Sequence, residues 1–286
     1  MTRPIAPPPL PAVILDPIVR LALTEDLGRA GDLTSDATLA PHARLRTVIR
    51  ARQAGRLAGL DAAAHALSLV DPAVKMQAEQ SDGAALSAGS LVARLEGPAR
   101  SILTAERTML NFLGRLSAIA TLTAEFASRI SHTKAQIVCT RKTTPGHRAL
   151  EKRAVRCGGG TSHRYGLDDA ILIKDNHIAA CGSIASALER ARAYAGHLRM
   201  IEIEVDTLDQ LEEVLETPPH AVLLDNMDTD TLARAVDRIA GTCIAEASGG
   251  VTLDTVREIA GTGVDFISVG ALTHSAGNLD LGMDVD

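Results

Sequence analysis

The sequence predicts an α/β protein, with an α+β portion at the N-terminus followed by an α/β barrel of fewer than eight strands. Three observations carry that prediction. After about residue 130, short apolar runs alternate with amphipathic helical stretches, the pattern of βα units around a parallel sheet buried on both faces. Polar or charged residues close nearly every one of those runs, at the end of a parallel sheet where ligands bind. Before about residue 114 that alternation is missing, and period-2 stretches mix with helices, as in a sheet wet on one side. About six βα units are visible, short of a full eight, so a smaller or distorted barrel is the first choice. An open doubly wound sheet is its competitor.

In chain order, MTRPIAPPPLPAVILDP reads as a flexible arm: proline interrupts its apolar run, and no small-residue cleavage site follows as in a signal peptide. Asp16-Pro17 predicts a helix start, with Asp16 as N-cap, and Gly28 predicts its stop. In 43–53, Leu45, Thr47, Ile49 and Ala51 face one way and Arg44, Arg46, Arg50 and Arg52 the other, which predicts a half-exposed strand. A helix follows from Asp61, then strands in VKMQAEQ and SLVARLEG. SILTAERTMLNFLGRLSAIATLTAEFASRI is one long helical pattern without proline. The apolar runs are QIVCT, AILIKD, MIEIEVD, AVLLDN, CIAEASGG and FISVGA. Helices between them include SIASALERARAYA, TLDQLEEVLE, DTDTLARAVDRIAG and TLDTVREIAG.

A chain of 286 residues with 46% hydrophobic content can bury a large core, and without Trp that core is built from Ala, Leu, Ile and Val. A net charge of -6 without aromatic-basic interleaving argues against a nucleic-acid surface. Cys139, Cys157, Cys181 and Cys243 form no CxxC pair and read as reduced thiols of a cytosolic protein. No uncharged apolar run reaches the roughly 18 residues of a membrane span.

Against that acidic background, 141–177 holds eight Lys/Arg and four Asp/Glu, so it gathers cations locally. Arg141, Lys142, Arg164 and Lys174 lie at or just after run ends, where Arg grips carboxylates or phosphates bidentately and Lys adds a point charge. Arg148, Lys152, Arg153 and Arg156 read instead as the solvated face of a helix after Pro145-Gly146. Glu202, Glu204, Asp206 and Asp225 offer carboxylates for a Mg²⁺, for ribose hydroxyls, for a developing cation, or for pairing with neighbouring Lys/Arg. Ser248-Gly249-Gly250, before a helix expected near Thr252, and the loop at Gly270 form a consecutive pair suited to phosphate. His163 reads as a substrate contact; His177 and His274 are not assigned to catalysis.

Several of these stretches are similar to one family. TEDLG, GDLTSD, AERTMLNFLGRLSAIAT, TRKTTPG, RCGGG followed by HR, GL and DAILIKDNHI, EIEVD, LLDNM, SGGV and GVDFISVGALTHSA closely resemble quinolinate phosphoribosyltransferases. Ser162 stands where Asn is common in the family, and His147 where a larger apolar residue is frequent. The resemblance implies an N-terminal α/β sandwich over 1–114, joined by the C-terminal tail 275–286, and an incomplete barrel over 115–274. It implies a cytoplasmic enzyme of NAD biosynthesis that is a head-to-tail homodimer, with further assembly left open and Arg107 entering the partner's site. Its substrates would be quinolinate and 5-phosphoribosyl-1-pyrophosphate, and its cofactor Mg²⁺. By carry-over, Thr140, Arg141, Lys142, His163, Arg164 and Lys174 bind the quinolinate carboxylates and neighbouring phosphates. Glu204 and Asp225 serve the ribose and Mg²⁺-pyrophosphate, while Ser248, Gly249, Gly250, Gly270 and Ala271 take the 5-phosphate. Lys142, Lys174, Glu204 and Asp225 are the residues placed at the chemistry. Two rival readings are an aldolase-type barrel with Lys174 as Schiff-base nucleophile and a non-catalytic relative associated with molybdenum transport. The intact set of Arg141, Lys142, Arg164 and Lys174 favours the quinolinate reading.

Overall fold

The computed structural model describes residues 7–286. Its elements begin with α1 (Ala12–Leu27), α2 (Leu33–Thr38), β1 (Arg44–Ala51), β2 (Gly55–Arg56), α3 (Leu60–Val70), β3 (Lys75–Ala78), β4 (Ala85–Leu86), β5 (Leu91–Pro98) and α4 (Ala99–Arg129). They continue with β6 (Gln136–Val138), α5 (Arg148–Cys157), β7 (Ile171–Ile173), α6 (Asp175–Cys181), α7 (Ile184–Tyr194), β8 (Ile201–Val205), α8 (Leu208–Glu216) and β9 (Ala221–Asp225). The last are α9 (Thr229–Ile239), β10 (Ile244–Ser248), α10 (Val256–Gly261), β11 (Phe266–Ser268), α11 (Ala271–His274) and β12 (Leu281–Val285).

The chain divides into two compact units. One comprises the residues up to Ala124 with Thr143–Gly159 and Leu272–Asp286; the other comprises Glu125–Lys142 and Gly160–Ala271. The α5 segment, which the sequence assigned to the barrel region, therefore groups with the first unit.

In the first unit an antiparallel sheet runs in the order β12-β1-β5-β3. The alternation of β1 explains its seat. Thr47, Ile49 and Ala51 are buried, while Arg46 and Arg52 reach outward to ion pairs with Glu96 and Asp284. Ile49, Leu95, Ile102, Met109 and Leu113 meet in one core, each side chain contributing about 1.5–3 kcal/mol on burial. Strand β12 returns the C-terminal segment to the edge of β1, from Thr47↔Val285 to Ala51↔Leu281.

Two N-terminal expectations are corrected. Helix α1 starts at Ala12 and not at Asp16, because the buried stripe begins with Leu15 and continues through Val19 and Leu23 at four-residue spacing. Pro17 lies inside the helix, and Asp16 pairs with Arg20 one turn on. The arm reading fails from residue 7 onward: Pro7 is buried, Pro8 offers its carbonyl to Arg153, and Leu10 N–H donates to Asp61. Residues 1–6 of that arm lie outside the described residues. The stop at Gly28 is as expected, with φ 54° and its N–H donated to Thr24 O.

The second unit is a six-stranded parallel sheet, β6-β11-β10-β9-β8-β7. All six apolar runs are strands. β6 pairs with β11 and not with β7, so the sheet is an incomplete barrel. At the outer edge of β6, Thr161 makes a parallel bridge to Val138, its N–H donating to Ile137 O at 2.8 Å. That bridge brings 161–164 alongside the sheet. Side-chain caps start α7 at Ser183, α8 at Thr207 and α9 at Asp228. No helix among the described residues is long and apolar enough to cross a membrane.

Candidate active site

Alternate residues of a strand share a face, so the parallel register stacks side chains into the barrel. Across β8 and β9 Glu204 pairs with Leu223; across β9 and β10 Leu223 pairs with Glu246 and Asp225 with Ser248. The C-terminal ends of these strands open on a cavity of about 370 Å³. The expected cations Arg141, Lys142, Arg164 and Lys174 line it, with Thr140 and His163. The acids Glu204 and Asp225 and the hydroxyl of Ser248 complete the expected set, and Leu172, Leu223 and Ser268 add to it.

The charges are arranged unequally. Lys174 Nζ donates to Glu204 Oε2. Arg164 Nη1 donates to Ala170 O at 3.1 Å, but its Nε is shut off from solvent without a hydrogen-bond partner. Burial, and then the neighbouring Arg141, push the Arg164 pKa below the ordinary guanidinium value; Glu202 and Asp169 only partly oppose them. A desolvated donor beside a second guanidinium suits an anionic ligand with paired oxygens.

Asp225 is set by its neighbour. Asn226 Nδ2 donates to Asp225 Oδ2 at 2.5 Å, and Asn226 N–H donates to Ser248 O at 2.9 Å. A Cβ on Gly249, whose φ is 92°, would lie 2.1 Å from Asn226 Oδ1, so only glycine fits there. Gly249, Gly250, Gly270 and Ala271 follow β10 and β11 without being among the lining residues. The helix expected near Thr252 begins at Val256, because Thr252 and Thr255 exchange backbone-to-hydroxyl bonds in a local turn. Helix α11 does begin directly after Gly270.

Under the cavity lies a group the sequence reading did not assemble. His163 Nε2 sits 2.9 Å from Glu202 Oε2 and 3.6 Å from Glu246 Oε1, and Ser268 Oγ donates to that same Glu246 oxygen. These three potential ligand atoms lie within 4.8 Å of one another. Burial, then the charge of Glu202, raise the Glu246 carboxyl from 4.5 to about 7. The available signal was a Glu inside an apolar run, two residues before Ser248.

Other expected residues lie elsewhere. Arg107 is exposed on α4 and does not line the cavity. His177 Nδ1 accepts the Lys174 N–H and caps α6, which is a structural task. The solvated-face reading of α5 holds for Arg156, but Lys152 is 0% and Arg153 7% exposed. Arg153 reaches Asp82 at 2.5 Å and Asp61 at 3.4 Å, acids distant in sequence that allow its charge inside. Arg148 is half-buried and donates to Thr143 Oγ1 at 3.1 Å. The four cysteines are free, and burial, then Asp82, push the Cys157 thiol up to about 12, leaving it unreactive.

Comparison with known proteins agrees along most of the chain. The model of the quinolinate phosphoribosyl transferase N-terminal domain matches residues 32–117, and that of the C-terminal domain matches residues 119–284. A Mycobacterium leprae nicotinate-nucleotide pyrophosphorylase (carboxylating) is 44% identical over 272 residues, 93% of this chain and 95% of that protein. A Nicotiana tabacum quinolinate phosphoribosyltransferase (decarboxylating) is 40% identical over 300 residues, 99% of this chain and 85% of that protein. The solved structure of the nicotinate-nucleotide pyrophosphorylase from Francisella tularensis superposes with a TM-score of 0.93 at 38% identity, covering 97% of this chain and 98% of that one.

Proposed function

Because the chain belongs to the quinolinate phosphoribosyltransferase family, we propose that its strand-end cavity transfers phosphoribosyl from 5-phosphoribosyl-1-pyrophosphate to quinolinate. Decarboxylation follows, giving nicotinate mononucleotide, pyrophosphate and CO2 in de novo NAD biosynthesis. The observation that carries this reading is the buried, unpartnered Nε of Arg164 beside Arg141, in a cavity of suitable size for small anions. A dianionic pyridine supplies the acceptors that this guanidinium lacks.

Arg141, Arg164 and His163 orient the pyridine carboxylates, and Lys142 and Lys174 add charge toward the phosphates. Held in this way, the ring nitrogen faces C1 of the ribose, and positioning converts a bimolecular attack into a local one. Positive charge develops on the sugar as pyrophosphate leaves, and the carboxylates Glu204 and Asp225 stabilise it. Leu172 and Leu223 exclude water from that wall, which protects the sugar cation from hydrolysis. Lys174 is ion-paired to Glu204 and serves as a cation, which argues against the Schiff-base alternative.

Mg²⁺ fits the donor set: Glu204 and Asp225 would offer it carboxylate oxygens near the ends of adjacent strands, and such an ion needs only one or two carboxylates. When bound, it supplies charge neutralisation for the pyrophosphate. Ser248, Gly249, Gly250, Gly270 and Ala271 receive the 5-phosphate in this reading. The protein works in the cytoplasm as a homodimer in which Arg107 completes the partner's site. Arg107→Ala and Lys174→Ala are then each inactive, and mixing them recovers activity at one site per dimer; no recovery removes the cross-subunit claim. The function itself is tested by incubating the protein with quinolinate, 5-phosphoribosyl-1-pyrophosphate and Mg²⁺. Nicotinate mononucleotide and CO2 are expected in equal amounts, chelation should stop both, and absence of either product would falsify the reading.

A further inference from the structure

The reaction proposed above, on which this inference rests, leaves one proton unassigned. When the carboxylate beside the ring nitrogen departs as CO2, its bonding pair stays on C2, and a proton must take its place. Guanidinium groups do not release protons. Of the side chains lining the cavity, His163 is the one that ordinarily exchanges a proton near neutral pH.

What lies beneath His163 supports that task. Glu202 and Glu246 are 8% and 5% exposed, lie within strands β8 and β10, and do not line the cavity. Burying each carboxylate costs several kcal/mol unless partners offset it. An apolar side chain would occupy either strand position without that cost. Both acids instead converge on one ring nitrogen, at 2.9 and 3.6 Å, and Ser268 anchors the second acid from β11. Opposed carboxylates favour the charged imidazole and fix a proton on Nε2. Burial, then Glu202, raise Glu246 to about 7, and above that pH its carboxylate adds to the charge that holds the imidazolium. Arg141, Lys142, Arg164, Lys174, Glu204 and Asp225 are the charged groups that share the cavity with His163.

We propose that His163 is the general acid whose Nδ1–H protonates C2 as CO2 departs, and that Glu246 is the positioning residue that holds the Nε2 side of the ring. The step balances: the C2–carboxylate bond breaks with its pair left on C2, an imidazolium N–H bond breaks, and a C2–H bond forms. The neutral imidazole keeps its Nε2–H toward the acids and regains the Nδ1 proton from water.

Single-turnover experiments that follow pyrophosphate and CO2 together test this on the full chain, with His163→Gln and Glu246→Gln beside wild type. Wild type should release the two products in step. In both variants CO2 should lag pyrophosphate, with the dicarboxylated nucleotide accumulating and kcat falling about 10²-fold, the usual scale of a lost general acid. For Glu246→Gln the quinolinate KM should stay within about 3-fold of wild type, and the alkaline limb of kcat should move to lower pH, because a carboxylate favouring the imidazolium is gone. Should Glu246→Gln fail to fold, Ser268→Ala, which keeps both acids, carries the same test of lag and limb. Equal slowing of both products, with only KM changed, overturns the proposal and leaves His163 a binding cation. A wild type that releases no quinolinate-dependent pyrophosphate instead overturns the functional reading, and this inference with it.

Discussion

Arg153 in one unit and Arg164 in the other are both guanidinium groups withdrawn from solvent, and their surroundings are opposite. Arg153 meets the Pro8 carbonyl, Asp82 and Asp61, and the two acids raise its pKa against the burial that would lower it. Arg164 has one carbonyl, an idle Nε and a second guanidinium nearby, and its pKa is lowered. A structural cation closes its charge within the protein. A binding cation leaves part of that work for the ligand.

The largest expected break in this comparison comes from Arg153→Met. It strands Asp61 and Asp82, whose side chains are 10% and 8% exposed, and should cost about 3–5 kcal/mol in urea unfolding. Arg164→Ala should do the reverse: melting stays level or rises, while kcat/KM for quinolinate falls about 10²–10³-fold, readable from steady-state kinetics. An intermediate effect is expected of Gly249→Ala, whose methyl would meet Asn226 and displace Asp225; about 1–3 kcal/mol of strain should appear in stability and in activity.

Glu246→Gln sharpens the contrast on the acidic side. The native carboxyl titrates at about 7 instead of 4.5, so the folded state holds the proton more tightly. Wild type therefore loses stability from this group as pH rises from 4.5 through 7, and the Gln variant does not. Denaturation curves across that range should diverge by on the order of 1–3 kcal/mol; parallel curves would show that Glu246 titrates normally. The smallest effect belongs to Arg148→Ala, a half-buried side chain whose bond to Thr143 is among those lost, and it should shift stability by about 1 kcal/mol.

Much of this is legible in the sequence. All six barrel strands announce themselves as apolar runs, and their polar ends mark the cavity, because period and position along a strand are local properties. The α5 cations were misread for the opposite reason. In RALEKRAVRC nothing local distinguishes Arg153, buried by acids 71 and 92 residues earlier in the chain, from exposed Arg156. Glu246 escaped notice because its meaning depends on His163 and Ser268, which reach it from other segments. The start of α10 was misplaced because paired threonine hydroxyls substitute for the first helical turn. From the residues alone, strand β12 was not read, because its partner β1 lies at the other end of the sequence and nothing local joins them. Only the family resemblance pointed to the return of the tail.

Equilibrium titration of quinolinate into wild type, Arg164→Ala and Arg148→Ala most directly tests whether the unsatisfied guanidinium is the diacid's seat. Wild type and Arg148→Ala should bind alike, and Arg164→Ala should bind at least about 100-fold more weakly, the loss of a charge-assisted pair. Wild-type affinity in Arg164→Ala would contradict the account.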